Sequence, residues 1–246
     1  MPEITTAERA GVGLDGAPRP TEDRIVVLEH AVVLLDGATS PTPRERDGGW
    51  HSAHLAALLL DGGLRGDLAD DLADAIARLA AAHDLTPGDA PSSTVAIVRW
   101  TDDTVDALVL ADSPVVVFGA KTEVVSDDRL RNLRGKVTEI TRWRNREGGF
   151  WVAEADPAAA HRAVRRSWPR DEVHTVLMAT DGVSCGVDDY GLFPDWQSVV
   201  DITFAKGPEA VLDAVREAEA NDPERVRWRR SKVHDDQALA VLRFDR

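Results

Sequence analysis

Four apolar runs of this chain begin or end in aspartate, and this pattern constrains the fold more than any other feature of the sequence. Three runs end in the acid and the fourth begins with it: Ala31–Asp36, Ala107–Asp112, Val176–Asp181 and Asp235–Leu242. Short, strongly apolar runs of this kind are typical of strands. If the strands lie side by side in suitable directions, the four acids meet at one edge of a sheet.

Carboxylates that converge in this way repel one another. Two of them about 4 Å apart repel by roughly 4 kcal/mol at an effective dielectric constant near 20. Such a cluster has to take up protons or cations, and divalent cations with oxygen ligands are the usual partners. The pattern therefore indicates a cation site.

The composition is that of a globular chain without an affinity for polyanions. Hydrophobic residues make up 43% of the 246 residues, and no composition shift forces a second domain, so we predict one domain over residues 1–246 with a loosely ordered segment at 1–18. The formal charge of −14 disfavours nucleic-acid partners and docking on anionic membranes. The single cysteine, Cys185, and the lack of an apolar leader or membrane-length run predict a cytoplasmic location.

Periodicity and turn residues predict the order of the elements. Strands are expected at Arg24–Leu28, Ala31–Leu35, Ser93–Trp100, Thr104–Leu110, Val115–Gly119, Val173–Ala179 and Gln237–Phe244. Helices are expected at Trp50–Leu60, Asp67–His83, Pro157–Arg166, Asp181–Val187 and Pro208–Ala220. The stretch before Thr21 is expected to be coil, and Ser40–Gly49, with Pro41 and Pro43, a loop. Strands that follow one another directly indicate antiparallel pairing.

The order of these acidic corners resembles that of the metal-dependent protein phosphatases, the type 2C or PPM family. The matching elements are Glu22-Asp23, Asp36-Gly37, Ser93-Thr94, Ala111-Asp112-Ser113, Asp181-Gly182 and Asp235-Asp236. Each short motif is weak alone, but six in the family's order, over residues 19–244, form a specific signal.

The resemblance implies an α+β fold, a four-layer αββα sandwich of two antiparallel sheets flanked by helices. It also implies two Mn²⁺ or Mg²⁺ ions at one edge of the sandwich, with a third, weaker position. By the same resemblance the metal site consists of Asp36, the Gly37 carbonyl, Asp181, Asp235, Asp23, Glu22 through water, and Asp112 at the third position. Arg19 is the candidate for binding substrate phosphate.

The implied function is a serine/threonine protein phosphatase that hydrolyses phosphomonoesters by attack of a metal-bridging hydroxide. Asp36, Asp181 and Asp235 would be its catalytic residues, and phosphorylated proteins its partners. All-oxygen ligands favour Mg²⁺ or Mn²⁺ over zinc, and a pair of such ions makes bound water nucleophilic. No covalent phosphoenzyme is required.

Several positions depart from the family pattern. Ala38-Thr39 follows Asp36-Gly37 where the family often has a histidine, and the glycine pair is displaced to Gly48-Gly49. Pro114 replaces the usual arginine, and Arg19 is about one residue too close to Glu22. Two alternatives follow: a catalytically weak pseudophosphatase that acts as an interaction module, and a phosphoesterase for small molecules.

Two basic stretches and one histidine each allow two interpretations. The stretches are Arg129–Arg146 and Arg225–Lys232; each is either solvated surface or a cationic wall that steers a phosphorylated substrate. Tryptophans within them could indicate nucleic-acid stacking, which the net charge disfavours. His234 is either an exposed loop residue or a proton donor.

Overall fold

The computed structural model describes residues 1–40, 42 and 44–244, so Pro41 and Pro43 of the predicted loop lie outside the described residues. In the described residues the strands are β1 (Glu3–Arg9), β2 (Arg24–Val27), β3 (Ala31–Leu35), β4 (Val95–Trp100), β5 (Thr104–Leu110), β6 (Val115–Phe118), β7 (Thr122–Val125), β8 (Val164–Pro169), β9 (Thr175–Ala179) and β10 (Gln237–Arg243). The α-helices are α1 (Gly48–Gly62), α2 (Leu68–His83), α3 (Arg129–Leu133), α4 (Asp181–Asp188), α5 (Trp196–Lys206) and α6 (Glu209–Ala220).

The strands form two five-stranded sheets in which every neighbouring pair is antiparallel. Sheet I has the order β2-β3-β4-β5-β8, and sheet II has the order β1-β10-β9-β6-β7. The segment 111–114 leads from the end of β5 in sheet I to the start of β6 in sheet II.

Both faces of the central strands are buried, which explains why these strands read as unbroken apolar runs. In β3, Val32 and Leu34 pack between the sheets, whereas Val33 and Leu35 pack against helices. All four side chains are fully buried. Because side chains alternate across a strand, an apolar residue at every position requires cover on both sides.

Helices supply that cover and complete four layers. On sheet I, the buried helix residues are mainly Leu55 and Leu59 of α1 and Leu72 and Ile76 of α2. On sheet II, α4, α5 and α6 pack their apolar stripes, which include Val183, Val199, Val211, Leu212 and Val215. Full burial of one such aliphatic side chain stabilises the fold by about 1.5–3 kcal/mol. The predicted αββα sandwich is confirmed.

Two local predictions are wrong, and the prediction also omitted some elements. The first 18 residues are not loose coil, because Glu3–Arg9 forms β1 and pairs along its whole length with β10. The predicted helix Pro157–Arg166 is a 3₁₀ turn at Pro157–Arg162 followed by strand β8. The strand β7 and the helix α5 were not predicted. None of the helices in the described residues has the length and apolar character needed to cross a bilayer.

Candidate functional site

One end of the sandwich collects the strand ends that carry the acids. Antiparallel pairing sets Val95, at the start of β4, opposite Leu110, at the end of β5, and Leu239, near the start of β10, opposite Ala179, at the end of β9. The backbone N–H of Ala179 donates to the carbonyl of Pro114 at 3.2 Å, which extends the pairing of β6 with β9 to this end of sheet II. Asp36, Asp112, Asp181 and Asp235 lie just beyond these strand ends.

Asp36 is held by the strand beside it. Its backbone N–H donates to the hydroxyl of Thr94 at 3.1 Å, and its carbonyl accepts from the N–H of Thr94 at 2.9 Å. The next residue, Gly37, touches the backbone of α1, where a Cβ would lie 2.5 Å from the carbonyl carbon of Gly48. Only glycine allows this approach, and the displaced glycine pair therefore still packs against the Asp36-Gly37 corner.

The other two predicted catalytic acids belong to neighbouring turns. Asp181 opens α4, and a Cβ on Gly182 would lie 1.8 Å from the carbonyl oxygen of Asp236 and 3.4 Å from the Cβ of Asp235. Backbone contact this close fixes the Asp181-Gly182 turn against the Asp235-Asp236 turn. The residues that were predicted to share a site therefore lie side by side, although more than 50 positions separate them along the chain.

Two internal cations neutralise part of the acidic cluster. Lys232 is almost fully buried, and its Nζ lies 2.6 Å from Asp235 Oδ1 and 3.3 Å from Asp236 Oδ2. The guanidinium of Arg19 donates to Asp236 Oδ2 and to the hydroxyl of Thr39, each at 3.0 Å, and forms an ion pair with Glu22. Arg19 therefore lies at the site despite its short spacing from Glu22.

Among the described residues, Asp23 lacks such compensation, and one oxygen of Glu22 is left without a partner. In the part of the chain that the structure describes, neither carboxylate oxygen of buried Asp23 has a hydrogen-bond partner, and Glu22 Oε1 has none. A buried, unsatisfied carboxylate is costly and indicates a missing cation or proton.

Within the described part of the chain, the pKa shifts distinguish the acids that have an internal cation as partner from those that have none. Desolvation, with the negative charges of Asp23, Asp181 and Asp235, raises the pKa of Asp36 well above its ordinary value. Desolvation and the charge of Asp235 raise the pKa of Asp181 to about 7. By contrast, burial of Asp236 is outweighed by hydrogen bonds and by the positive charges of Lys232 and Arg19, which lower its pKa.

Asp23 belongs with the uncompensated acids. Desolvation, with the charges of Asp236, Asp181 and Asp235, raises its pKa well above the ordinary value. The repulsion that several acids exert on Asp23 and on Asp36 follows directly from their convergence at one end of the fold.

Asp112 lies at the rim of the same site. The guanidinium of Arg134 is 3.1 Å from Asp112 Oδ2 and 4.0 Å from Asp181 Oδ2, so one arginine joins both acids. A cavity of about 770 Å³ opens here, and Asp112, Asp181 and Asp235 line it. Its volume is in the range of ligand-binding clefts.

The donor set fits hard divalent cations. The uncompensated groups are carboxylates, with no thiolate or imidazole among them, and all-oxygen sites suit Mg²⁺ and Mn²⁺. Among the described residues, no three histidine, cysteine or acidic side chains form a finished cage for one ion. Lys232 contacts Oδ1 of Asp235, so metal binding would use the other oxygen of this carboxylate or displace Lys232.

The histidines and the cysteine take mainly structural positions. His51 is fully buried in α1, with Nδ1 3.2 Å from the Ser93 hydroxyl, and burial lowers its pKa to about 4. His234 is not an exposed loop residue, because its Nδ1 lies 2.9 Å from Glu219 Oε2 and only Nε2 could deliver a proton. Desolvation raises the pKa of the Cys185 thiol, which disfavours a nucleophilic role.

Sequence reasoning missed two parts of the site. The role of Lys232 as a counter-ion could not be read from its position in a basic stretch. The pairing of Arg134 with Asp112 and Asp181 depends on how the segment after β7 folds back. In both cases the only sequence signal was a basic stretch close to an acidic motif.

Comparison with known proteins places the chain among phosphatases. The family model for protein phosphatase 2C matches residues 19–216. A comparison with curated proteins gave no significant match.

Solved structures with the same fold include bacterial phosphatases of low sequence identity. The serine/threonine phosphatase Stp1 from Staphylococcus aureus superposes with a TM-score of 0.65 at 14% identity, over 100% of this chain and 96% of that one. The PPM Ser-Thr phosphatase MsPP from Mycobacterium smegmatis gives 0.62 at 18% identity, over 99% and 98%. The catalytic domain of PstP, crystallised with two manganese ions, gives 0.64 at 12% identity, over 98% and 97%. On the strength of the family match, which covers most of its length, this chain belongs to the protein phosphatase 2C family.

Proposed function

We propose that this chain is a Mn²⁺- or Mg²⁺-dependent phosphatase that removes phosphate from phosphoserine and phosphothreonine in proteins, with residues 1–246 acting as one catalytic domain. The observation that carries the proposal is the convergence of Asp36, Asp181 and Asp235 from separate strand ends, next to the unpartnered carboxylate of Asp23. The family membership and the Mn²⁺ ions of PstP support it.

The residue roles follow the donor set. Asp36, Asp181 and Asp235 would hold two ions together with the Gly37 carbonyl, Asp23 and Glu22 would complete the site, and Asp112 would serve a third ion. When bound, the ions supply an activated water and neutralise phosphoryl charge.

Arg19 would orient the phosphoryl group. Its guanidinium already reaches into the site, and a planar guanidinium can bind phosphate oxygens in pairs.

The single Cys185 allows no intramolecular disulfide, which supports the proposed cytoplasmic location.

The test is hydrolysis of an aryl phosphate and of phosphopeptides by purified protein. We expect turnover with Mn²⁺ that stops when a chelator is added, and loss of turnover in Asp36→Ala with the fold intact. Full activity of Asp36→Ala would refute the assignment. A panel that also includes small phosphorylated metabolites decides between a protein and a small-molecule substrate.

A pseudophosphatase is the second candidate, and two observations favour it. Lys232 already provides a cation to Asp235, and Ala38 stands where the family often has a histidine. Calorimetric titration with Mn²⁺ followed by a turnover assay separates the candidates, because metal binding without hydrolysis of any phosphorylated substrate would favour the interaction module.

A further inference from the structure

The segment between α6 and β10, residues 222–234, is called the basic loop here, and one acid organises it. The carboxylate of Asp222 accepts hydrogen bonds from the backbone N–H groups of Val226 at 2.9 Å and of Arg227 and Trp228 at 3.1 Å each. Burial opposes ionisation, but these bonds together with Arg230 lower the pKa of Asp222 to about 2. The loop backbone is therefore held in one conformation by an ionised carboxylate.

The side chain of Arg230 also stabilises the conformation of the basic loop. Its guanidinium donates to the carbonyls of Val233 and Trp228 at 3.0 Å each, to the carbonyls of Glu219 and Asp222, and to the Asp222 carboxylate at 2.8 Å. All three of its guanidinium nitrogens donate hydrogen bonds to oxygens of the chain itself. Arg230 is thus structural, unlike Arg227 and Arg229 in the same basic stretch.

An aromatic stack fixes the loop against the rest of the site. The ring of Trp228 stacks on Tyr190, just beyond α4, with ring centroids 4.6 Å apart. The Tyr190 hydroxyl donates to Glu219 Oε1 at 3.3 Å, and the guanidinium of Arg227 lies 4.2 Å from the Trp228 ring centroid. Stacking of this kind holds Arg227 in a defined position.

The loop forms one wall of the cavity that Asp181 and Asp235 also line. Arg227, Trp228 and Arg229 all contribute to that wall. Arg227 and Arg229 are exposed, and within the described residues neither forms an ion pair with a carboxylate. Two guanidiniums without acidic partners, on a rigid loop, form a site built to receive anions.

The other arginines of the cavity wall already have acidic partners. Arg131 lies 3.6 and 3.3 Å from Asp188 and Asp189, and Arg134 lies 3.1 Å from Asp112. Among the described residues that line this cavity, the arginines left for an external anion are therefore those of the basic loop, Arg227 and Arg229.

We propose that Arg227 and Arg229 bind acidic side chains of the substrate, so that this phosphatase prefers phosphoserine and phosphothreonine residues flanked by aspartate or glutamate. The inference rests on the proposed function, because it assigns a substrate class to the same site. The phosphoryl group would lie at Asp181 and Asp235, and neighbouring acidic residues would reach along the cavity to the basic loop.

The experiment compares three phosphopeptides that differ only in their flanking residues: glutamate, alanine or lysine. For wild-type protein with Mn²⁺ we expect kcat/KM to rank glutamate above alanine above lysine. In Arg227→Gln/Arg229→Gln the ratio of kcat/KM for the glutamate peptide to that for the alanine peptide should fall about tenfold, through KM, since exposed ion pairs each contribute modestly. The control Arg65→Gln/Arg166→Gln removes the same charge from exposed arginines outside this cavity and should leave the ratio unchanged.

Failure of the inference and failure of the proposed function give different results. Turnover of an aryl phosphate with no preference for the glutamate peptide would overturn the inference and leave the phosphatase assignment intact. No turnover of any substrate, with anisotropy still showing selective binding of the glutamate peptide that the double substitution abolishes, would overturn the phosphatase and retain acidic-peptide recognition. Equal competition by a short single-stranded oligonucleotide would also overturn the inference.

Discussion

The end of the sandwich that carries Asp36 and the opposite end each hold a large cavity, but they are built from different chemistry. The cavity at the opposite end is larger, about 1400 Å³, and its walls include the apolar side chains of Val27, Leu60, Trp100 and Phe244. Its acids, among them Asp102 and Asp171, are exposed to solvent. At the Asp36 end the cavity is about 770 Å³, and the acids beside it repel one another.

The difference teaches that cavity volume does not identify the functional site. At the opposite end, the guanidinium of Arg99 pairs with Asp106 at 2.9 Å and also donates to two carbonyls, so charge is balanced locally. At the Asp36 end, Lys232 and Arg19 balance Glu22, Asp235 and Asp236, while Asp23 and Asp36 keep raised pKa values. Unbalanced buried charge is costly to fold, and it marks the site where an ion can be bound.

The largest expected effect is the loss of activity in Asp36→Asn. The substitution removes a ligand charge while keeping the size of the side chain, and we expect kcat/KM with Mn²⁺ to fall roughly 10³-fold, since bound metal supplies several kcal/mol of transition-state stabilisation. Asp102→Asn, at the opposite end, is the matched control and should retain wild-type kcat/KM. Equal losses of kcat/KM in the two variants would show that the two ends of the sandwich do not differ in this way.

For Trp100→Ala, at the opposite end, we expect a loss of stability without a loss of activity. Trp100 is only 5% exposed and packs near Phe244, with ring centroids 6.0 Å apart. Its truncation should lower the free energy of unfolding by about 3–5 kcal/mol, while kcat/KM per folded molecule stays unchanged. Urea denaturation and assays well below the unfolding midpoint measure the two quantities. A stable but inactive Trp100→Ala protein would mean that the opposite end takes part in catalysis.

A third expectation concerns pH and the buried His51. Its folded-state pKa of about 4 lies below its ordinary value, so the unfolded chain binds the proton more readily. The stability contributed by neutral His51 is therefore complete above about pH 6.5 and is lost as the pH falls towards 4, by about 3 kcal/mol. Unfolding free energies of wild type and His51→Gln should thus converge between pH 6.5 and 4. A constant difference over that range would show that His51 does not titrate in this way.

The smallest expected effect is stabilisation by metal. At 100 times the dissociation constant, Mn²⁺ should stabilise the folded protein by about 2.7 kcal/mol, or about 5–10 °C in Tm. Asp181→Asn should lose this response, and Asp102→Asn should keep it. The same rise in all three proteins would place the bound ion away from the Asp36 end.

The sequence was sufficient to predict the elements whose pattern is strong. Strand β3 is apolar at every position, and β5 and β9 each end in four consecutive apolar residues. The acids that follow these runs indicated a shared edge before any pairing was known. Five of the seven residues of β1, Glu3–Arg9, are polar, as suits an edge strand, and its partner β10 lies at the other end of the chain. Local sequence carries no signal for a pairing over that distance.

Local sequence was also insufficient to predict β8 and part of the site. Ala158–Ala160 favour a helix locally, but pairing with β5 makes Val164–Pro169 a strand despite its two arginines. The aspartates of the site could be named because each has its own strand. The counter-ion role of Lys232 and the exposure of Arg227 depend on how the basic loop folds, which periodicity does not report.

A crystal soaked in Mn²⁺, with the metal located by anomalous scattering, tests the central claim most directly. The account predicts two peaks at the Asp36 end, within ligand distance of the carboxylates of Asp36, Asp181 and Asp235. Ions bound only elsewhere, with Lys232 still on Asp235 at saturating Mn²⁺, would contradict it.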